Sequence, residues 1–130
     1  MKFEPIAIIG QSCVLPGALS PEALWEAVVS GRDLTSQVGS NEWGMPREAV
    51  LGGEFGDGEI SFSDIGGYVR GFEGVFDSSG FLLPQADVES LDTANQWLLH
   101  AGRSALQSAS IQDVSQTGAV IGNLSFPTRA

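Results

Sequence analysis

The sequence has few of the residues that most catalytic and metal sites need. Its 130 residues include a single cysteine, Cys13, and a single histidine, His100. One cysteine excludes a disulfide within the chain, and one histidine with no second ligand at suitable spacing argues against zinc. We therefore expect no metal site.

Basic residues are also few. Six Lys and Arg stand against 16 Asp and Glu, which gives a formal charge of −10. Nucleic acids and anionic membranes both require Lys and Arg to neutralise phosphate groups, so we expect neither partner. The composition instead indicates a solvated acidic surface.

Long apolar runs and common ligand-binding motifs are absent as well. Residues 6–9 are too short a run for a signal peptide, and no stretch approaches the roughly 18 apolar residues of a membrane span. There is no Gly-Lys-Ser or Gly-Lys-Thr phosphate loop and no Gly-x-Ser-x-Gly elbow. These features, with the single cysteine, predict a soluble protein of the cytoplasm.

Two short apolar runs have the character of buried parallel strands. Residues 4–10 (Glu-Pro-Ile-Ala-Ile-Ile-Gly) and 118–124 (Gly-Ala-Val-Ile-Gly-Asn-Leu) do not alternate between apolar and polar positions. Such runs are typical of strands that helices cover on both faces of a parallel sheet. We predict a strand in each.

Two helices are predicted between these strands. The first begins after Ser20, which can cap it, has Pro21 in its first turn and ends at Gly31. The second begins at Asp92 and carries small and apolar residues at spacings of three and four: Ala94, Trp97, Leu98, Ala101, Ala105, Leu106 and Ala109. The order strand, helix, irregular segment, helix, strand predicts an α/β fold.

The middle of the chain has a different character. In residues 32–62, Gly, Ser, Asn, Glu and Asp interrupt every apolar run, which predicts an irregular excursion with one short strand pair. We expect the following aromatic-rich stretch to pack under it: Phe72, Val75, Phe76 and Phe81. Two strands and two helices do not complete a parallel sheet, so we expect residues 1–130 to be part of a larger domain.

Neither Cys13 nor His100 is predicted to be catalytic. Cys13 lies in a loop several residues before Ser20, and His100 is distant from it in sequence. A nucleophilic cysteine needs a helix N-terminus or a paired histidine to lower its pKa. We therefore favour a buried structural thiol and a structural or surface histidine.

Several blocks of sequence occur in a fixed order along the chain. The first are residues 4–10, Cys13, Leu15-Pro16-Gly17, residues 20–25 (Ser-Pro-Glu-Ala-Leu-Trp) and residues 30–33 (Ser-Gly-Arg-Asp). The later ones are Gly71-Phe72, Val75-Phe76-Asp77, Phe81, Leu91-Asp92 and residues 117–122. Together they resemble the opening of β-ketoacyl synthase domains in modular polyketide synthases and related fatty-acid synthases.

The chain also departs from that family's pattern. The family usually has Asp-Pro-Gln-Gln-Arg where residues 92–96 read Asp-Thr-Ala-Asn-Gln, so the Pro and Arg are missing. Residues 80–84 (Gly-Phe-Leu-Leu-Pro) replace the common phenylalanine pair and Ile-Ser-Pro. Residues 97–101 (Trp-Leu-Leu-His-Ala) are more similar to the ketosynthases of polyunsaturated fatty acid synthases, or of another divergent branch, than to those of ordinary modules.

The resemblance implies a fold and a reaction. The fold would be thiolase-like, with two halves stacked into an αβαβα sandwich, in a homodimer or pseudo-dimer. The reaction would be a decarboxylative Claisen condensation. A cysteine accepts an acyl chain from the phosphopantetheine of an acyl carrier protein, and two histidines assist decarboxylation of a malonyl-type extender.

The resemblance places none of those three residues in this chain. The family's cysteine lies beyond residues 118–124 and both histidines lie further on, so no catalytic residue is carried over. Ser125 and Phe126 follow the second predicted strand, where the family approaches its acyl pocket. They are candidates for lining that pocket, with ordinary loop residues as the alternative.

Two functions therefore remain open at the level of sequence. The first is the N-terminal fragment of a condensing enzyme, inactive and marginally stable alone, with phosphopantetheine carried by a partner and no cofactor of its own. The second is a non-catalytic, ketosynthase-derived interaction or dimerisation module. An unrelated small α/β binding protein is a third and weaker alternative.

Overall fold

The computed structural model describes residues 4–40, 42–52 and 60–122. In these ranges the helices are α1 (Pro21–Val29), α2 (Arg47–Val50), α3 (Gln85–Ser90), α4 (Thr93–Ser108) and a short 3-10 helix, Phe72–Gly74. The strands there are β1 (Ser36–Gln37) and β2 (Ile65–Gly66). None of the helices described is both long enough and apolar enough to cross a membrane.

The chain divides into two compact units. Val14–Glu73 form one, called here the hairpin unit, and Met1–Cys13 with Gly74–Ala130 form the other, called the α4 unit. The boundary separates the aromatic residues that the sequence predicted as one stretch. Phe72 is buried in the hairpin unit, whereas Phe76 and Phe81 belong to the α4 unit.

Helix α1 begins and ends where the sequence predicts. The Ser20 side chain accepts a hydrogen bond of 3.2 Å from the Ala23 amide, and Pro21 occupies the first turn. Gly31 follows with a φ of +65°, a conformation that glycine adopts without strain. Only Ala27 of this helix is buried.

The expected short strand pair is present, although its second strand lies just past residue 62. Strands β1 and β2 pair antiparallel, with Ser36 opposite Gly66 and Gln37 opposite Ile65. Strands of two residues form few main-chain hydrogen bonds. Side chains must therefore supply much of what holds this region together.

Asp64, just before β2, is one centre of those side-chain interactions. It is 9% exposed, and its Oδ2 atom accepts hydrogen bonds of 2.7 Å from the Gln37 amide and the Arg47 Nε. The hydrogen bonds from Gln37 and then Arg47 lower the pKa of Asp64. One carboxylate thus joins β1, α2 and the chain entering β2.

Glu42 and Arg70 form the second centre. They form a bidentate salt bridge, in which the Arg70 Nε donates to the Glu42 Oε1 at 2.7 Å and the Arg70 Nη2 donates to Oε2 at 2.8 Å. Arg70 also donates to the Gln37 carbonyl at 2.6 Å, and the Gly39 amide donates to Glu42. The hydrogen bonds from Arg70 and then Gly39 lower the pKa of Glu42 to about 2.

Helix α4 organises the other unit. Asp92 caps it, as predicted, by accepting a 2.9 Å hydrogen bond from the Ala94 amide. Gly10 lies so close to this helix that a Cβ atom there would be 2.7 Å from the Ala109 Cβ and would clash with the Ala105 carbonyl. Ala105 of α4 and its C-cap residue Ala109 therefore allow this close approach, whereas Gly102 has open space beside it.

Helix α3, like α2, was not predicted. Pro84 occupies the N-cap position of α3, directly before its first residue, and makes no side-chain capping hydrogen bond. Val88 of α3 is fully buried, and the Gln96 amide of α4 donates to the Val88 and Glu89 carbonyls at 3.2 and 3.1 Å. These bonds complete the C-terminal end of α3, whose last carbonyls have no partner within the helix.

The prediction of two buried strands is wrong for the residues that the structure describes. Residues 4–10 and 118–122 are not in strands, and their apolar side chains are exposed, at 89% for Ile8 and 102% for Val120. A strand is defined by hydrogen bonds to a neighbour, and neither segment has such a neighbour among the described residues. The end of the second prediction, residues 123–124, lies outside the described residues.

Substituting Gly10 with alanine tests the contact between the N-terminal segment and α4. We expect Gly10→Ala to lower the free energy of unfolding by about 1–3 kcal/mol, because the new methyl group meets helix backbone that cannot move away. The matched control is Gly102→Ala, which adds the same methyl group in open space within α4 and should raise stability by up to about 1 kcal/mol. Urea unfolding followed by circular dichroism measures both; equal effects would contradict the contact.

The Glu42–Arg70 pair predicts a pH dependence of stability. Folding lowers the pKa of Glu42 from 4.5 to about 2. The ion pair therefore stabilises the folded state fully at pH values above the ordinary pKa of 4.5. That stability is lost as the pH falls from about 5 toward 2. The urea midpoint of Glu42→Gln should therefore lie below that of the wild type at pH 7, and the gap should close near pH 2.

The control for this experiment is Glu26→Gln in α1, which removes the same charge without breaking the pair with Arg70. Its midpoint should follow the wild-type pH dependence. A gap between wild type and Glu42→Gln that stays constant from pH 7 to pH 2 would contradict the stabilising role of the ionised carboxylate.

Candidate functional site

An apolar groove runs along one side of α4. Its volume is about 640 Å³, within the range of small-molecule pockets. Three parts of the α4 unit line it, namely the loop before α3, the helix itself with the turn that follows, and the segment near residue 120. The lining residues are Gly80, Phe81, Leu98, Leu99, Gly102, Arg103, Leu106, Gln107, Ile111, Ala119, Val120 and Ile121.

The floor of the groove comes from the predicted stripe of α4. Leu98 and Leu106 belong to that stripe, but they face the groove and Leu98 remains 42% exposed. Gly102 lies between them with no atom within 4 Å of where its Cβ would be. The sequence correctly predicted that this face of α4 is apolar. It did not predict that part of the face remains exposed in a groove.

Arg103 is the one charged residue among the described residues that line the groove, and the sequence analysis did not single it out. Its guanidinium carbon lies 3.6 Å from the centre of the Phe81 ring. Its two terminal nitrogens donate to the Asp77 carbonyl at 2.9 Å and the Ser79 carbonyl at 2.6 Å. The available signal was that Arg103 is the only Asp, Glu, Lys or Arg within α4.

The guanidinium charge of Arg103 is largely compensated by groups of the protein itself. The Asp77 carboxylate lies 3.6 Å from Nη1, and hydrogen bonds from Ser79, then the positive charge of Arg103, lower the pKa of Asp77. Arg103 therefore fastens residues 77–81 to α4, and the groove carries little net charge toward a ligand.

Cys13 and His100, the single cysteine and the single histidine of the chain, lie elsewhere in the α4 unit. The ring of Phe76 lies 6.5 Å from those of both Phe81 and His100, so His100 is part of an aromatic cluster. Cys13 is half-buried. No group of three or more His, Cys, Asp or Glu side chains within the described ranges could hold a metal ion.

The predicted pocket-lining residues, Ser125 and Phe126, lie outside the described residues, and their role stays a prediction. The groove ends on residues 119–121, a few positions before them. Among the described residues, its lining contains no cysteine, histidine, serine or carboxylate. The described part of the lining can accept apolar groups and supplies neither a nucleophile nor a general base.

Comparison with known proteins identifies the family. Residues 3–126 match the model of the family described as β-ketoacyl synthase, N-terminal domain. The chain is 34% identical over 124 residues to mycoketide-CoA synthase of Mycobacterium tuberculosis, which covers 92% of this chain and 3% of that protein. It is 32% identical over 116 residues to the highly reducing polyketide synthase sdnO of Sordaria araneosa, a match that covers 88% of this chain and 4% of that protein.

A solved structure agrees with this match. The PfaC keto synthase–chain length factor superposes with a TM-score of 0.71 at 27% sequence identity, over 78% of this chain and 11% of that one. The chain thus spans a small part of the proteins it matches, and its mixed α/β fold corresponds to part of a thiolase-like fold, as the resemblance implied. On the evidence of family model and fold together, this chain belongs to the β-ketoacyl synthase family, in the region of that family's N-terminal domain.

Proposed function

We propose that the chain forms the N-terminal part of a β-ketoacyl-[acyl-carrier-protein] synthase. That enzyme would condense a carrier-bound acyl chain with a malonyl-type extender in polyketide or fatty acid biosynthesis. The observation that carries the proposal is the family match over residues 3–126, which the match to a solved keto synthase supports.

The proposed reaction needs groups that this chain does not supply. A cysteine thiolate takes the acyl group from the carrier thioester and releases the carrier thiol. Loss of CO₂ from the extender then leaves a carbanion, which attacks the acyl-cysteine carbonyl and expels the thiolate. In this proposal the cysteine and two histidines lie in polypeptide beyond these 130 residues, and the chain itself is inactive.

The partners follow from the same reaction. An acyl carrier protein would bring the substrates on its phosphopantetheine, so the chain would bind no cofactor of its own. The complete enzyme would act as a homodimer or pseudo-dimer in the cytoplasm. The role of this chain would be to build the α4 side of the condensing domain.

A second candidate is a non-catalytic interaction or dimerisation module derived from a ketosynthase. The description of the solved relative favours keeping it, because that structure pairs a keto synthase with a chain length factor. The groove suits either role, since the part of its lining that the structure describes carries no catalytic group.

The isolated chain should transfer no acyl group. We expect incubation with an acyl thioester to give no turnover above buffer, because a reactive thiol needs a lowered pKa and an adjacent oxyanion site. Cys13→Ser should behave like the wild type, with the PfaC keto synthase as the positive control. Turnover that depends on Cys13 would contradict the assignment of catalysis to other residues.

A chimaera tests whether the chain serves a condensing enzyme. Residues 3–126 would replace the aligned stretch of the PfaC keto synthase, and product formation from acyl and malonyl carrier proteins would be measured. We expect condensation at least about tenfold above that of the same chimaera with its catalytic cysteine changed to alanine. A folded, dimeric chimaera without condensation would favour the interaction module instead.

A further inference from the structure

Residues 42–50, called here the strap, contribute no buried residue to the hairpin unit. Trp43 and Val50 are half-buried, and the other residues of the strap are exposed. Helix α2, which ends the strap, has four residues and no side-chain cap. A helix of one turn is not stable by itself in water, so contacts with other segments must hold the strap in place.

Main-chain hydrogen bonds attach the strap to a distant segment at one end only. Within the described chain, that attachment is the bond from the Ser61 amide to the Val50 carbonyl, at 2.7 Å. Other backbone bonds of the strap are local, such as the one from the Ala49 amide to the Pro46 carbonyl. Side chains must therefore hold the remainder of the strap.

Two ion pairs provide this attachment. Glu42, at the start of the strap, forms the bidentate salt bridge with Arg70. Arg47, in α2, places its Nη2 atom 2.7 Å from the Oδ2 atom of Asp64. The side chains of Arg70 and Arg47 are 47% and 42% exposed, so water and dissolved ions reach both pairs. The strength of both contacts therefore falls as the ionic strength rises.

Gln37 connects the two ion pairs. Its side-chain amide donates to the Asp64 carboxylate at 2.7 Å, and its main-chain carbonyl accepts from Arg70 at 2.6 Å. Without Glu42, the Arg70 side chain is no longer directed toward this carbonyl. Loss of one pair thereby loosens a residue that supports the other, and we expect the two pairs to be energetically coupled.

We propose that residues 42–50 form a salt-sensitive strap, which opens as one unit at a lower free energy than the rest of the fold. Opening breaks both ion pairs together and releases the guanidinium groups of Arg47 and Arg70 to solvent. Ionic strength then sets the fraction of molecules in which the strap is open. The inference concerns the hairpin unit alone and does not depend on the proposed function.

Trypsin cleavage after Arg47 measures the open state, because the protease must bind an arginine side chain that Asp64 holds in the closed state. The full chain is digested, and cleavage after Arg47 and after Arg103 is followed by mass spectrometry. Synthetic peptides of residues 36–52, with the wild-type or the variant sequence, give the rate for a fully open strap. The ratio of peptide rate to protein rate is the protection of the bond after Arg47.

Urea distinguishes opening of the strap from global unfolding. Below the unfolding midpoint, we expect the protection after Arg47 to change little with urea, because opening nine mostly exposed residues uncovers little surface. Cleavage after Arg103, which lies inside α4, should accelerate steeply with urea, because it requires loss of the helix.

Changing Glu42 tests whether the two ends of the strap open together. Glu42→Ala removes the pair with Arg70 and leaves the bond after Arg47 unchanged. We expect it to lower the protection of that bond about fivefold or more, because a bidentate salt bridge is lost. Glu26→Ala in α1 is the matched control, since it removes an equal charge from the same unit. It should change the protection by less than about twofold.

Salt tests the electrostatic nature of the attachment. Raising NaCl from about 20 mM to about 500 mM shortens the screening length severalfold, and we expect the protection after Arg47 to fall about twofold or more. The peptide rate at each salt concentration corrects for effects on trypsin itself. Protection after Arg103 should not fall, because salt also screens the repulsion among the excess acidic residues of the chain.

Four results would overturn the inference. They are cleavage after Arg47 as fast as in the peptide, the same urea dependence at Arg47 and Arg103, equal effects of Glu42→Ala and Glu26→Ala, and protection that salt does not change. The urea and salt measurements use the wild-type chain, so they decide the question even where Glu42→Ala unfolds the whole hairpin unit.

Discussion

The close approach of Gly10 to α4 is the contact on which the α4 unit depends. Without a side chain at this position, the N-terminal segment comes within van der Waals distance of Ala105 and Ala109. Residues far apart in sequence thereby become part of one unit. The same helix carries the groove on its Leu98 and Leu106 side, so α4 is the element that organises the unit.

The hairpin unit is held in a different way. Its strands are two residues long, and the described chain buries few large apolar side chains there besides Phe72. Two carboxylate–arginine pairs, Asp64 with Arg47 and Glu42 with Arg70, connect segments that the short strands alone would leave loosely joined. Exposed ion pairs usually contribute little, but paired geometry and a shared contact on Gln37 make these part of one network.

Local signals in the sequence were read well. Ser20, Pro21 and Gly31 define α1, and Asp92 defines the start of α4, because caps and turn residues act through their own neighbours. Helices α2 and α3 were missed because both begin after proline without a side-chain cap. The groove could be predicted only in part. Its leucines were recognised as apolar, but whether Leu98 is covered depends on chain that is distant in sequence.

The sequence by itself determined the family and the two main helices. Those features depend on residue identity and short spacing, which a sequence shows directly. Tertiary structure decided that Arg103 serves Asp77, Ser79 and Phe81, and that 4–10 and 118–122 lie unpaired beside α4. The physical reason is that an apolar run indicates only that a segment favours burial. A strand forms only when a neighbouring segment supplies the main-chain hydrogen bonds.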